Sequence, residues 1–332
     1  MITTCHRAAE LPADWDRAVG DNLYMRRDFL AFLESCEDCG QRYHYIRDDT
    51  GTIDTVFMTH IRRGYNLAMF TPFDLRVKMT FVYVPVSVTR PGIHAGRHRD
   101  EALAFIRAIR GYTMILNLPN DDAPGFATGY TCPQCVLNIR WASLDEYLKS
   151  LRSGYRRRCQ VALRASEGLR LRWLASPEEF DEALYGLYRQ VVAHSRLVLE
   201  TLTIDFFRGH YFRILVLEDA AGPQGFIQLL PNGQELIFEF VGMNYATVPQ
   251  YDTYQRMLLE IIRYGIDNGF TSIDFGQTAD ESKLKLGCDY TMLYAALHHS
   301  NPLMMAGARL LAPRLQYKPL TTKFHVFKQA GE

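Results

Sequence analysis

Apolar residues recur at helical spacing in several segments of the chain. This spacing predicts helices at residues 26–36, 99–110 and 253–267. Two further starts come from capping signals: Ser143 stands three residues before Glu146, and Ser176 precedes a proline and two acidic residues. The sequence therefore predicts helices after Ser143 and after Ser176, with a basic helix over residues 155–165 between them.

Alternating or continuous apolar runs between these helices predict strands. The predicted strands are 42–47, 55–62, 67–70, 79–88, 112–118, 135–139, 169–174, 212–218, 225–230, 235–241, 271–275 and 290–298. Because strands and helices do not alternate regularly, the pattern predicts an α+β fold with mixed sheets flanked by helices. The best domain boundary lies near residues 140–143, and any internal duplication would be one of fold, since no residue-level repeat is visible.

Length and charge narrow the class of protein. The chain has 332 residues, in which 37 Lys and Arg balance 37 Asp and Glu. This balance argues against a surface that binds nucleic acid throughout. The first residues are too polar for a signal peptide, and no apolar run is long enough to span a bilayer. These features favour a cytoplasmic protein of two domains.

The chain has seven cysteines, an odd number that favours reduced thiols over a disulfide framework. Two pairs have CxxC spacing, Cys36 with Cys39 and Cys132 with Cys135. Four thiolates could form a zinc site, but the two pairs stand far apart in the sequence. We therefore favour unligated thiols and predict no metal site.

The strongest candidate for chemistry is the segment from Tyr251 to Gly287. A predicted helix leads into a strand that ends in Asp274, Phe275, Gly276 and Gln277, and Lys283 follows soon after. Ligands usually bind at the carboxyl ends of strands in open α/β sheets. This placement makes Asp274, Gly276, Gln277 and Lys283 candidate site residues, although an ordinary turn and a solvated lysine would give the same pattern.

Three features of the second half occur together in a fixed order: the basic helix 151–158, the pattern 265–269 running into 273–276, and the ending Lys283 to Gly287. With these features, residues 148–294 resemble the C-terminal GNAT-like domain of the Fem-type and related acetyltransferase-like proteins, a group that includes peptidoglycan aminoacyl transferases. Proteins of this group are tandem GNAT-like folds. The resemblance therefore implies a degenerate GNAT-like domain at residues 1–142 and a GNAT-like transferase domain at residues 143–332.

The identity of the donor depends on one turn. Acetyl-CoA-dependent GNAT proteins usually have a glycine-containing turn whose amides hold the pyrophosphate at a helix N-terminus. The corresponding residues 243–251 contain no glycine pair, and Pro249 lacks an amide hydrogen. Fem-type proteins lack the same turn, and some use aminoacyl-tRNA. Two donors stay open: a coenzyme A thioester as co-substrate, with no tightly bound cofactor, or aminoacyl-tRNA.

Further candidates lie around this segment. Glu239 falls in a predicted strand, opposite Phe238 and Phe240 by alternation, where it could accept a proton from an attacking amine or face solvent. Tyr251 and Tyr254 stand at a helix entry, where they could position substrate, protonate a leaving group or simply pack.

The basic helix supplies a second group of candidate site residues. A possible nucleophile at the end of a later helix is not supported. Arg156, Arg157 and Arg158 could contact the phosphates of tRNA or coenzyme A, or form a solvated helix face. A nucleophile built from His194 and Ser195, which precede Arg196, would need an orienting acid that the sequence does not identify.

These candidates predict an N-acyltransferase in which a small-molecule or peptide amine attacks a thioester or ester carbonyl directly. Glu239 or Asp274 would act as the base, Tyr251 or Tyr254 would lie near the reacting centre, and Lys283 with the arginines would hold an anionic part of a substrate. The alternative is a non-catalytic GNAT-like module that binds a ligand or partner, which the missing glycine turn favours. The sequence leaves the oligomeric state open.

Overall fold

The computed structural model describes residues 1–36, 39–195, 197 and 201–329. Glu37 and Asp38 of the first CxxC pair, and Arg196, lie outside the described residues. The strands are β1 (Ile2–Cys5), β2 (Arg42–Arg47), β3 (Ile53–Asn66), β4 (Arg76–Val82), β5 (Ile93–His94), β6 (Tyr112–Leu118), β7 (Ala127–Tyr130), β8 (Gln134–Asn138), β9 (Arg170–Trp173), β10 (Arg213–Asp219), β11 (Gly222–Asn232), β12 (Glu235–Met243), β13 (Ser272–Asp274), β14 (Asp289–Thr291) and β15 (Tyr294–His299). The α-helices are α1 (Trp15–Ala18), α2 (Arg27–Cys36), α3 (Arg99–Ala108), α4 (Leu144–Ser150), α5 (Ser153–Ala165), α6 (Glu182–His194), α7 (Ile204–Phe207), α8 (Val248–Tyr251), α9 (Thr253–Asp267), α10 (Asp280–Leu284) and α11 (Pro302–Leu315).

The strands form two mixed sheets. One has the order β1-β2-β3-β4-β6-β15-β7, with β5 beside β3, and the other has the order β9-β10-β11-β12-β13-β8-β14. In the part of the chain that the structure describes, each sheet contains one parallel pair, β4 with β6 and β12 with β13, and its remaining pairs are antiparallel. The predicted α+β class with mixed, mostly antiparallel sheets flanked by helices is confirmed.

The chain divides into two compact units, each built around one sheet. The first unit is Met1–Pro133 with Met292–Pro319, and the second is Gln134–Thr291 with Leu320–Glu332. The first sheet therefore takes β15 from late in the chain, and the second takes β8 from before the capping box at Ser143. The assignment of residues 1–142 and 143–332 to two successive GNAT-like copies stays a prediction.

Apart from β5, the two sheets have the same strand order and connections. In each, three antiparallel strands (β2-β3-β4 or β10-β11-β12) lead through a helix (α3 or α9) to a parallel strand, β6 or β13. The next position is filled by the strand from elsewhere in the chain, β15 or β8, followed by a short outer strand. The same fold pattern thus occurs twice without a repeat in the residues.

Three predicted strands differ from the structure, and two of them are in the first half. Residues 67–70 form a turn, because the side chain of Asn66 accepts hydrogen bonds from the amides of Ala68 and Leu75, each at 2.9 Å. The predicted strand 79–88 ends at Val82, before Val86 and Val88, whose φ angles of 66° and 52° are incompatible with a strand.

The third difference is in the second half. The predicted strand 290–298 is two strands, β14 and β15, which belong to different sheets. The helix predicted after Ser176 begins later as well, since Ser176 precedes only a single 3₁₀ turn. The helix α6 is capped instead by Asp181, whose carboxylate accepts a hydrogen bond from the amide of Leu184 at 3.0 Å.

The core of the second unit positions the candidate site. The helix α9 has the predicted bounds, and its Met257, Leu258, Ile261 and Ile262 are fully buried against the sheet. This packing places α9 across β12 and β13, the two parallel strands that it connects. Among the described helices, none combines the length and the apolar character needed to cross a membrane.

Candidate active site

The site lies where the two parallel strands of the second sheet separate. β12 and β13 pair over only three residues, from Glu235 with Ser272 to Ile237 with Asp274. β13 then ends, whereas β12 continues to Met243 along β11. Beyond Ile237, the described residues place no strand on this side of β12. The separation opens a gap beside β12 at the carboxyl ends of the strands, where open α/β sheets usually bind ligands.

Glu239 stands at a β-bulge just past the point of separation. Gln228 pairs with Phe240 and Leu229 pairs with Phe238, so Glu239 is the extra residue of β12. The bulge turns Phe238 towards the core under α9 and Phe240 towards the aromatic side chains of α6 and α7. The predicted alternation, which placed both phenylalanines on one face, is wrong here. Glu239 is 9% exposed and does not face solvent.

Asp274 supports the loop that follows β13. One carboxylate oxygen accepts a hydrogen bond from the amide of Gly276, and the other accepts one from the side-chain amide of Gln134, each at 2.8 Å. Asp274 is fully buried, and Gly276 has a φ of 70°, which favours glycine. Both oxygens of Asp274 therefore have partners: one holds the backbone of the loop at Gly276, and the other holds the side chain of Gln134.

Lys283 is buried as well, with 2% of the residue exposed. Its ammonium donates a hydrogen bond to the carbonyl oxygen of Gln277 at 2.7 Å. Burial lowers the pKa of Lys283, and the nearby Cys135, Asp280 and Asp274 partly oppose that shift. The solvated lysine considered from the sequence is not what the structure has. The ammonium points into the unit and ties α10 to the loop after β13.

That loop has strained backbone. Thr278 and Ala279 have φ angles of 64° and 51°, in the left-handed region that non-glycine residues avoid. Such conformations cost on the order of 1–3 kcal/mol each and persist only where the surroundings impose them. Here the hydrogen bonds of Asp274 to Gly276 and of Lys283 to Gln277 hold the backbone just before these two residues. Strain of this kind is common at functional sites.

Tyr254 lies in the first turn of α9 and is half-buried. Burial raises the pKa of its hydroxyl, and the nearby Cys135, Cys288 and Asp280 raise it further. The phenol is therefore protonated at neutral pH and able to donate a proton. Since Cys135, Cys288 and Asp280 also act on Lys283, Tyr254 and Lys283 border the same small region.

A hydrogen-bond network fixes the loop between β12 and α9. The side-chain oxygen of Gln224 accepts hydrogen bonds from Asn244 at 2.9 Å and Thr247 at 2.7 Å. The carboxylate of Asp219 accepts hydrogen bonds from Gln224 at 3.0 Å and from the hydroxyl of Tyr251 at 2.9 Å. The bond to Asp219 raises the pKa of Tyr251 and lowers that of Asp219. Tyr251 therefore anchors this loop.

The start of α9 does not fit the pyrophosphate grip of a glycine turn. The short helix α8 runs directly towards α9, and Asp252, with a φ of 47°, occupies the N-cap. Its carboxyl group lies where a phosphate would have to be held. Burial raises the pKa of Asp252, and the charge of Arg158 lowers it, so Arg158 lies close to this helix start.

Arg156, Arg157 and Arg158 of α5 are the residues that we predicted to bind an anion. Arg157 and Arg158 are exposed, and Arg156 is half-buried. Arg158 also contributes, after Lys285, to lowering the pKa of Glu281 at the start of α10. The charge of Arg158 therefore acts on acidic groups at the starts of both α9 and α10.

The structure thus places half of the predicted site residues close to one another. Tyr254, Asp274, Gly276, Gln277 and Lys283 surround the carboxyl end of β13. Because Ile237 is opposite Asp274 in the register, Glu239 lies about 7 Å farther along β12, given the rise of a strand. Tyr251 and the α5 arginines form a second group around the junction of α8 and α9.

The sequence did not indicate several residues of this site. Gln134, Cys135, Asp280 and Cys288 surround Asp274 and Lys283. Gln134 and Cys135 come from β8, far away in the sequence, so no local signal could have placed them there. The seven cysteines are free thiols, and within the described ranges no three or more His, Cys, Asp or Glu side chains are grouped to hold a metal ion.

Comparison of sequences agrees with this geometry. Residues 149–284 match the family described as "Acetyltransferase (GNAT) domain". The matched segment contains the separation of β12 and β13, the bulge and α9. The segment that matches this family lies within the second unit. No curated protein shows significant sequence similarity to the chain.

Solved structures extend the likeness to nearly the whole chain. FemX is 10% identical with a TM-score of 0.55, covering 92% of this chain and 99% of that chain. The C-terminal domain of a putative lysylphosphatidylglycerol synthetase from Agrobacterium fabrum is 13% identical with a TM-score of 0.54, covering 92% and 96%. Saccharomyces cerevisiae N-myristoyltransferase, solved with bound myristoyl-CoA and inhibitors, is 11% identical with a TM-score of 0.52, covering 90% and 80%. At these identities the likeness shows the fold alone. The predicted resemblance to Fem-type and related GNAT-like proteins is confirmed at the level of the fold.

Proposed function

We propose that the second unit catalyses N-acyl transfer, moving an acyl or aminoacyl group from an activated donor to an amine. The observation that carries this proposal is the separation of β12 and β13 immediately before Glu239. It opens the edge of β12 to a ligand beside a buried carboxylate, a protonated phenol and a strained loop. The match to an acetyltransferase (GNAT) domain supports the same reaction class.

Glu239 and Tyr254 divide the proton transfers in this proposal. The amine nitrogen attacks the donor carbonyl carbon, and its proton passes to Glu239 directly or through water. The bond from the carbonyl carbon to the leaving sulfur or oxygen breaks, and the leaving atom takes the proton of Tyr254, whose raised pKa keeps it protonated. An amide forms, and no covalent intermediate with the enzyme is required. Asp274 and Lys283 act indirectly, by holding the loop.

The donor carries phosphate in this proposal, as both coenzyme A thioesters and aminoacyl-tRNA do. The start of α9 offers Asp252 in place of a glycine turn, so the phosphate contacts fall to Arg156, Arg157 and Arg158. The likeness to N-myristoyltransferase, which was solved with bound myristoyl-CoA, supports a coenzyme A thioester as the donor. The fold shared with FemX supports aminoacyl-tRNA, which some Fem-type proteins use. The acceptor is a small-molecule or peptide amine.

Transfer of label tests the reaction and separates the donors. The full-length protein is incubated with acetyl-CoA, myristoyl-CoA or aminoacyl-tRNA, each radiolabelled in the acyl group, and with a panel of amines and lysine-containing peptides. We expect label in an acceptor with one donor class. Glu239→Gln and Tyr254→Phe should each lower kcat about 10²- to 10⁴-fold, the usual contribution of a general base or acid.

Matched variants control for indirect effects. Tyr264→Phe makes the same change near the other end of α9, and Glu235→Gln makes it at the start of β12. Both should keep kcat. The proposal is wrong if no donor class labels any acceptor, or if Glu239→Gln and Tyr254→Phe both keep full turnover.

The non-catalytic alternative has one observation in its favour, the carboxyl group of Asp252 at the start of α9. A ligand that binds only the folded protein raises its midpoint of thermal unfolding. A donor that raises the midpoint without transferring label to any amine would favour a binding module. Transfer that depends on Glu239 excludes it.

A further inference from the structure

The first unit contains an apolar cavity between its sheet and the helix α11. The cavity has a volume of about 280 Å³. Its floor is formed by side chains of β6, β7 and β15, its side by β3 and the turn after it, and its roof by α11. None of these elements belongs to the site of the second unit, so the cavity is independent of the proposed transfer reaction.

The lining restricts what can enter. Among the residues that the structure describes, the lining contains no Asp, Glu, Lys, Arg or His side chain, and most of it is Leu, Met, Ala and aromatic residues. The side-chain amide of Gln316 in this lining already accepts a hydrogen bond from the backbone of Tyr130 at 2.9 Å. An ion or a strongly polar molecule would lose its hydration in this cavity without gaining partners. The occupant is therefore apolar where it lies inside.

The roof is fixed at its ends and loosely packed between them. At the N-terminal end, the hydroxyl of Ser300, just before α11, accepts a hydrogen bond from the amide of Gly111 at 2.9 Å. At the C-terminal end, the amide of Tyr317 donates to the carbonyl oxygen of Tyr130 at 2.9 Å, and the ring of Tyr317 packs edge-on against Phe70. Along α11 itself, Met305 is the only residue of this helix that is buried.

The middle of the roof lies over empty space. A Cβ atom added at Gly307 would meet no atom within 4 Å, and Gly307 lines the cavity. Eight residues between Leu303 and Gln316 line the cavity at intervals, over about 20 Å at the rise of an α-helix. The cavity therefore runs along α11 as a slot, a shape that suits one extended chain.

We infer that this slot binds the single hydrocarbon chain of an amphiphile, such as a fatty-acyl chain, and leaves the polar head group outside. Burial of the chain is driven by the hydrophobic effect, at about a fourfold gain in affinity for each buried methylene. Affinity should therefore rise with chain length until the slot is full and then level off.

A chain-length series on the full-length protein tests the inference. Saturated fatty acids of eight to sixteen carbons are titrated by isothermal calorimetry, each below its critical micelle concentration. We expect one binding site per chain, about fourfold tighter binding for each added methylene at the short end, and a plateau at longer chains. Gly307→Leu should fill the slot and weaken binding at least tenfold.

Two variants make the result specific. Leucine is a better helix former than glycine, so Gly307→Leu should keep α11 folded, which circular dichroism checks. Ala306→Leu places the same side chain at the neighbouring position, which is exposed and does not line the slot, and should bind as the unchanged protein does. Should both variants bind equally well, or should affinity not depend on chain length, the slot is not the binding site. Absence of saturable binding overturns the inference outright.

Discussion

Replacing Lys283 with methionine removes the ammonium that ties α10 to the loop after β13. The side chain keeps its length and apolar stem, so the change creates little cavity. It deletes the hydrogen bond from the ammonium to the carbonyl oxygen of Gln277 at 2.7 Å. A hydrogen bond from a charged group contributes about 1.5–3 kcal/mol, and the buried carboxyl groups of Asp274 and Asp280 also lose a nearby cation. We expect the free energy of unfolding to fall by about 3 kcal/mol.

Equilibrium unfolding in urea, followed by far-ultraviolet circular dichroism, measures this loss. Lys285→Met is the matched control, because Lys285 stands two residues away, is partly exposed and pairs with Glu281 on the surface. Surface pairs of this kind contribute little to stability. The midpoint for Lys283→Met should fall far below that for Lys285→Met. If the two variants lose the same small amount, the buried ammonium does not hold the loop.

The dependence on pH gives a second measure of the same group. Burial lowers the pKa of Lys283 below its ordinary value of 10.5, so the unfolded chain holds this proton more tightly than the folded chain. Burial therefore subtracts from the stability that the hydrogen bond of Lys283 supplies: this penalty is absent above pH 10.5 and reaches its full size once the pH has fallen through the lowered pKa. The stability of the unchanged protein relative to Lys283→Met should therefore rise with pH in that window. A flat difference would contradict the assignment.

Three further substitutions, followed by urea unfolding, test contacts within each unit. Burial lowers the pKa of His44 and His60 to about 4, so stability present above pH 6.5 should be lost between pH 6.5 and 4, by up to about 1.4 kcal/mol per pH unit for each histidine; His60→Gln should flatten that slope. Gly242→Ala should cost about 1–3 kcal/mol, because its Cβ would lie 2.2 Å from the ring of Phe226; an unchanged midpoint would show that the ring can move away. Ser143→Ala should cost about 1 kcal/mol, since the hydroxyl accepts a hydrogen bond from the amide of Glu146 at 3.2 Å.

Elements with strong local signals could be predicted from the sequence. The helix α9 has its predicted bounds because a continuous apolar face and the Asn268-Gly269 stop are both local. The capping box at Ser143 forms for the same reason. The carboxyl end of β13 was predicted as a site because strand and loop follow each other directly. What these features share is that all of their partners lie within a few residues.

Features that depend on distant partners could not be predicted. The bulge at Glu239 exists only in the register with β11, and it reverses the face of every residue after it. The surroundings of the buried Lys283 include Cys135, which comes from the distant strand β8. The predicted strand 290–298 reads as one apolar run, and nothing local marks the point where the chain leaves one sheet for the other.

The exchange of β8 and β15 between the sheets also sets the order in which the chain can fold. During synthesis the first sheet has an unfilled edge at β6 until residues 294–299 have been made, because β15 is the partner of β6 and β7 pairs with β15. The second sheet, in turn, draws on β8 from before its own first helix. A gene cut between residues 142 and 143 would therefore yield two fragments that each lack a strand, and their recombination on mixing, followed by circular dichroism, would report on that mutual dependence.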